Sequence, residues 1–117
     1  MNNRFKFRIP YYKENMFVGF VTANVATGES SFIQGCSPKE PEQCTGLKDK
    51  NGNLIYEGDV VEYESRYWAV FYSIPTMEWG LVGDDYSVYG NKMKRADTYV
   101  IDCEIIGNIH ENGDLLK

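Results

Sequence analysis

Residues 45–61 read Thr45-Gly46-Leu47-Lys48-Asp49-Lys50-Asn51-Gly52-Asn53-Leu54-Ile55-Tyr56-Glu57-Gly58-Asp59-Val60-Val61, and they change chain direction twice. Asp49-Lys50-Asn51-Gly52 has the chemistry of a tight turn. Asp at its first position accepts backbone N–H bonds, and Gly at its fourth takes the left-handed conformation a bulged hairpin needs. Leu47 precedes the turn and Leu54, Ile55 and Tyr56 follow it, so a hairpin is expected. Glu57-Gly58-Asp59 is a second punctuation, after which Val60, Val61, Glu62, Tyr63 and Glu64 resume an extended pattern. Two such bends in quick succession suit the corner of a small barrel. Thr45, Gly46, Asp49, Asn51, Gly52, Tyr56, Gly58 and Asp59 are therefore assigned to architecture.

The flanking sequence has the two-residue period of strands. Phe5, Phe7 and Ile9 alternate with Lys6 and Arg8, and Pro10 is expected to end ladder pairing or mark an edge. Lys13-Glu14-Asn15 is a polar connection. Phe17, Val21, Ala23 and Val25 share a face of the next strand; Thr27-Gly28-Glu29 turns it, and Ser31-Phe32-Ile33 is expected to return antiparallel. The segment Ser37-Pro38-Lys39-Glu40-Pro41-Glu42-Gln43 reads as a linker with one helical turn at most, because Pro41 spoils a longer helix. Ser65-Arg66 is expected to turn the chain into a strand with Trp68, Val70 and Tyr72 on one face and Tyr67, Ala69 and Phe71 on the other. A strand apolar on both faces is central or covered. Residues 77–82 should pair back onto it, 83–95 are loop-rich, and 98–109 form the last strand. There Cys103, Ile105, Gly107 and Ile109 share a face, before a turn at Asn112-Gly113 and a short cap at Asp114-Leu115-Leu116. With 9 Tyr, 6 Phe and 2 Trp suited to pleated surfaces, the fold class is all-β. The expected form is a small, partly open barrel of about five strands. The chain is expected to form a single domain: an N-terminal strand and hairpin over 1–36, a linker over 37–44 and a barrel core over 45–117.

The string from Thr45 to Gly52, followed by Ile55-Tyr56-Glu57-Gly58-Asp59-Val60-Val61, resembles the signature of the YopX-like proteins of phages and prophages. Glu104-Ile105-Ile106-Gly107-Asn108-Ile109-His110-Glu111-Asn112 is similar to that family's closing motif, which adds Gly107 to the structural set. Lys6-Phe7-Arg8 is a weaker third match. The family usually continues there with a small residue, Trp and Asp, where this chain has Ile9-Pro10-Tyr11-Tyr12, and Cys44 stands where the family usually has an aromatic residue. The resemblance implies a mostly β, barrel-like domain of phage origin. It implies no particular activity.

Chemistry is sparse. Cys36, Cys44, Cys103 and His110 are the available zinc ligands, but their spacings match no compact knuckle. A Cys–His nucleophile pair lacks a third group to orient it, and His110 reads as a partly exposed strand-end residue. Asp84-Asp85 and Glu57/Asp59 sit at Gly-flanked turns, where acids cap backbone N–H groups. No cofactor, metal site or catalytic residue is expected. The net charge of −5 opposes phosphate backbones. Even so, Trp68, Tyr72, Trp79, Tyr86 and the cations Lys92, Lys94 and Arg95 form a candidate binding surface, on which aromatics would stack bases beside a basic groove. Three Cys exclude a complete intramolecular disulfide set. No apolar run approaches the roughly 20 residues of a membrane span, and Met1-Asn2-Asn3-Arg4 lacks the core of a signal peptide. The expected location is the host cytoplasm with reduced thiols. The reading that needs no missing parts is a non-catalytic interaction module with a protein partner or a second copy of itself. A single-strand nucleic-acid binder is the alternative, and a minor hydrolase or metal protein a third.

Overall fold

The computed structural model describes residues 6–24, 33–73, 77–83, 88–89 and 103–116. They are mostly strand, with almost no helix, and the first of two sheets curls into a half-barrel. That sheet contains β1 (Lys6–Lys13), β2 (Met16–Asn24), β3 (Ser37–Pro38), β4 (Glu42–Lys48) and β5 (Leu54–Tyr56). Its order is β2-β1-β4-β5, with β3 also on β1. The second sheet contains β6 (Asp59–Tyr63), β7 (Arg66–Ser73), β8 (Glu78–Val82), β9 (Val88–Tyr89) and β10 (Glu104–Asn108), in the order β10-β6-β7-β8-β9. Helix α1 (Ile109–Asn112) and a 3₁₀ turn (Gly113–Leu116) follow.

Turn chemistry sets the hairpins. Glu14 and Asn15, at φ 52° and 66°, form the two-residue reversal between β1 and β2. Glu64 and Ser65, at φ 52° and 63°, do the same between β6 and β7. Positive φ at both central residues matches the right-handed twist of the flanking strands. The second reversal lies one residue before the expected Ser65-Arg66, and Arg66 already pairs with Tyr63.

Several expectations need correction. Pro10 does not end β1, which continues to Lys13. The far edge of β1 is met by β4 at Phe7 and Arg8 and by β3 at Tyr11 and Tyr12. Pro10 falls in the gap between them, where its carbonyl accepts from Lys39 N–H at 2.8 Å. Its nitrogen points to the same edge, so the ladder loses nothing for lack of a donor there. β1 and β2 themselves pair as a hairpin. The return strand expected at Ser31-Phe32-Ile33, and the turn before it, lie outside the described residues except for Ile33, which is not in a strand. Residues 37–44 contain β3 and the start of β4 rather than a continuous linker. At the C-terminus, 98–102 lie outside the described residues, and β10 stops at Asn108. The Asn108 side chain caps α1, accepting from His110 N–H at 2.9 Å and Glu111 N–H at 3.1 Å. Ile109 and His110 are thus helical, and the expected Asn112-Gly113 turn is the junction of α1 with the 3₁₀ segment.

The main core gathers Ile55, Val61, Trp68, Val70, Leu81 and Cys103, flanked by Leu47, Tyr63, Trp79 and Ile105. The β4–β5 hairpin thus packs on the second sheet while its first strand pairs with β1, joining the sheets. β7 lies between β6 and β8, the central position that its two apolar faces require.

Candidate functional site

Asp49 and Asp59 show how the motif is used. The Asp49 side chain is fully buried. Its Oδ1 accepts from Asn51 N–H and Asn53 N–H, at 3.0 and 2.9 Å, and its Oδ2 accepts from Ile105 N–H at 3.0 Å, across to the second sheet. Thr45 Oγ1 donates to the Ile55 carbonyl at 2.8 Å. At the corner between β5 and β6, Asp59 Oδ2 accepts from Tyr56 N–H at 2.7 Å. These contacts are architectural.

The other oxygen of Asp59 opens a larger constellation. Arg8 reaches Asp59 Oδ1 at 2.7 Å through Nη1 and Glu42 Oε1 at 2.8 Å through Nε, and its Nη2 donates to the Glu57 carbonyl at 3.2 Å. Phe20 and Tyr56 flank its guanidinium, 4.0 and 5.0 Å from their ring centroids. Glu42 Oε2 lies 2.7 Å from His110 Nε2, and the Tyr12 hydroxyl lies 2.5 Å from His110 Nδ1. The Nε2–H tautomer satisfies both bonds, donating to Glu42 and accepting from Tyr12. The imidazole stacks on Phe17 at 5.2 Å and meets Tyr12 and Phe20 edge-on. Burial pushes the Asp59 carboxyl up to about 6 against the pull of Arg8.

This network borders a cleft of about 570 Å³ between the sheets, within the range usual for ligand sites. Its lining includes Pro10, Tyr12, Pro41 and Glu42 from the first sheet and the segments beside it, Ala69 and Phe71 from β7, and Ile109 and His110 from α1. Pro10, at the gap in the β1 edge where β4 gives way to β3, is among the residues that line it.

The surface expected from the sequence is not assembled this way. Trp68 is 1% exposed and belongs to the core, and its indole N–H donates to the Tyr63 carbonyl at 3.0 Å. Burial removes it as a stacking platform. Tyr72 and Trp79 do meet, edge to face at 5.1 Å, with Tyr72 exposed. Tyr86, Lys92, Lys94 and Arg95 lie outside the described residues, as do Asp84 and Asp85. His110 is a partner of Glu42 and Tyr12, not of a thiol. Among the described residues no three His, Cys, Asp or Glu side chains gather to hold a metal ion. Sequence reasoning missed Arg8, Glu42, His110 and Tyr12 as a group, since 98 positions separate Tyr12 from His110. The available signal was Arg8, a charged residue between Phe7 and Ile9 on a strand; Glu42, between Pro41 and Gln43, gave none.

A family model described as YopX protein matches residues 9–117. The chain belongs to the YopX family. The match takes in most of β1 and all of β2, including Ile9-Pro10-Tyr11-Tyr12, so the unusual N-terminal third is part of the family domain. A comparison with curated proteins finds no match. No helix among the described residues is long and apolar enough to cross a membrane.

Proposed function

We propose that this YopX-family chain is a non-catalytic phage or prophage accessory module that works in the host cytoplasm by binding another protein through the inter-sheet cleft. The observation that carries the reading is the mutual engagement of the polar groups beside the cleft. Both oxygens of Glu42 and of Asp59 are taken, both ring nitrogens of His110 are taken, and all three guanidinium nitrogens of Arg8 have partners. A general acid or base needs a proton or lone pair aimed at its substrate. This network aims its own at itself and so holds the shape of an apolar cleft, and concave apolar surfaces with a polar border are binding surfaces.

The test compares two exposed apolar residues. Ile109 borders the cleft, and Tyr67 does not. A partner captured from phage-infected host lysate by the wild-type chain should be lost with Ile109→Arg and retained with Tyr67→Arg. Capture by neither variant or by both would overturn the assignment to the cleft. Light scattering distinguishes a second copy of the chain from a foreign partner. The nucleic-acid reading keeps the Tyr72–Trp79 pair as a platform but loses Trp68 to the core. Fluorescence quenching by oligonucleotides at low salt is its test.

A further inference from the structure

The walls of the cleft are short of donors. Pro10 and Pro41 carry no N–H, and both line it. The acceptors are more generous. Glu40 and Glu57 both line the cleft, and neither is ion-paired among the described residues. Among the described residues Glu57 Oε1 has a 3.4 Å contact from Gln43 N–H. Glu42, by contrast, is neutralised by Arg8 and held by His110. Among the described residues Lys39 lines the cleft without a salt bridge, and its ammonium lies 5.4 Å from the centroid of the Tyr12 ring. Between these groups, Phe71, Ala69 and Ile109 offer an apolar floor.

A site with apolar walls, surplus carboxylate and few donors is complementary to a ligand that brings both apolar surface and N–H donors. We infer that the cleft takes a short basic–apolar segment of a partner protein. An apolar side chain of that segment packs on Phe71 and Ile109, and an adjacent Arg or Lys reaches Glu40 and Glu57. Arg suits the second role because its guanidinium presents several donors to two carboxylates at once. The proline-bordered wall also limits rearrangement on binding, which lowers the ordering cost of recognition. This inference rests on the binding-module reading and supplies the chemistry of the partner.

The test uses the full chain, isotope-labelled, titrated with the capped peptide acetyl-Arg-Phe-Arg-amide and with its counterpart acetyl-Glu-Phe-Glu-amide. The basic peptide should shift the backbone amides of Gly58, Phe71, Ile109 and His110 and leave the distant turn amides of Asn51 and Gly52 in place. The double variant Glu40→Lys/Glu57→Gln should weaken it by about 3- to 10-fold, the scale of two rim ion pairs. Its own amide spectrum serves as the check that it folds. Equal or tighter binding of the acidic peptide would overturn the inference, as would no localised shift at millimolar peptide. The two proposals fail separately. If Ile109→Arg abolishes partner capture but Glu40→Lys/Glu57→Gln leaves it intact, the module stands and the basic chemistry falls. If the peptide binds as described but Ile109→Arg does not affect capture, the site stands and its assignment as the partner surface falls.

Discussion

Gly52 and Gly58 separate two reasons for a glycine. Both have φ of +86°. A Cβ on Gly52 would meet nothing within 4 Å, whereas one on Gly58 would lie 2.8 Å from Glu42 Oε2 and 3.0 Å from its carboxyl carbon. Gly52→Ala should therefore lose only the left-handed backbone term, about 1–2 kcal/mol. Gly58→Ala should lose that and also displace Glu42 from Arg8 and His110. Urea unfolding of the two variants should show the larger loss for Gly58→Ala; equal losses would mean that Glu42 moves without penalty. Arg8 lies between two buried carboxylates, those of Glu42 and Asp59. Arg8→Met strands both, and a loss of about 3–5 kcal/mol is expected for breaking such a group by removing one member. Asp59 sets a pH dependence. Its folded value of about 6 exceeds the unfolded 3.8, so the folded state binds the proton more tightly. The stability this contributes is complete below about pH 4 and is lost as pH rises through 6. Asp59→Asn removes the titration. The wild type should therefore lose about 2–3 kcal/mol relative to the variant between pH 4 and 7, measured by denaturant unfolding at each pH.

Asp49 belongs to the scale of elements, because one side chain ties a hairpin to a strand of the other sheet. Its role at the head of a turn was legible from Asp49-Lys50-Asn51-Gly52 alone, since an Asx turn is a local event. Its bond to Ile105 N–H, 56 positions away, was not. Lys50 N–H adds a second link, to the Cys103 carbonyl at 2.9 Å. Asp49→Ala removes both oxygens and leaves the N–H groups of Asn51, Asn53 and Ile105 without them. It should lose about 1–3 kcal/mol and raise hydrogen exchange at Ile105 together with Asn51 and Asn53. Exchange rising at the turn alone would deny the inter-sheet link. The effect of Pro10 on β1 was not legible for a related reason. Pro10 forbids a donor, but only the pairing of both β3 and β4 along β1 shows that no donor is needed there. The last strand was read too long because the helix that replaces its end is only four residues, Ile109–Asn112. A single capped turn has no periodicity to detect, although Asn108 supplied its capping residue.

For the whole molecule, the network from Asp59 to Tyr12 joins the start, middle and end of the chain. Arg8 and Tyr12 come from β1, Glu42 from β4, Asp59 from β6 and His110 from α1. His110 carries the C-terminal helix to the first sheet, so His110→Phe tests that closure. Phe keeps the aromatic packing on Phe17 but leaves the buried carboxylate of Glu42 and the half-buried hydroxyl of Tyr12 one partner short. A loss of about 1–3 kcal/mol is expected, with raised amide exchange in both α1 and β1. A variant as stable as wild type would make the imidazole a passenger in an apolar pocket. The cleft exists only at this scale, since its lining comes from both sheets and from the C-terminal helix.

By itself the sequence determined the all-β class, the turn at Asp49–Gly52, the corner at Gly58–Asp59, the central place of the strand holding Trp68 and Val70, and the family. All of these rest on interactions between residues close in the chain, where residue type fixes φ, capping or side-chain alternation. The tertiary structure decided which strands share a sheet, that Trp68 is core rather than surface, and that Arg8, Glu42, Asp59, His110 and Tyr12 meet beside one cleft. Those outcomes depend on desolvation and on contacts across up to 98 positions of chain, and local pattern carries no information about which distant charge a buried charge will find.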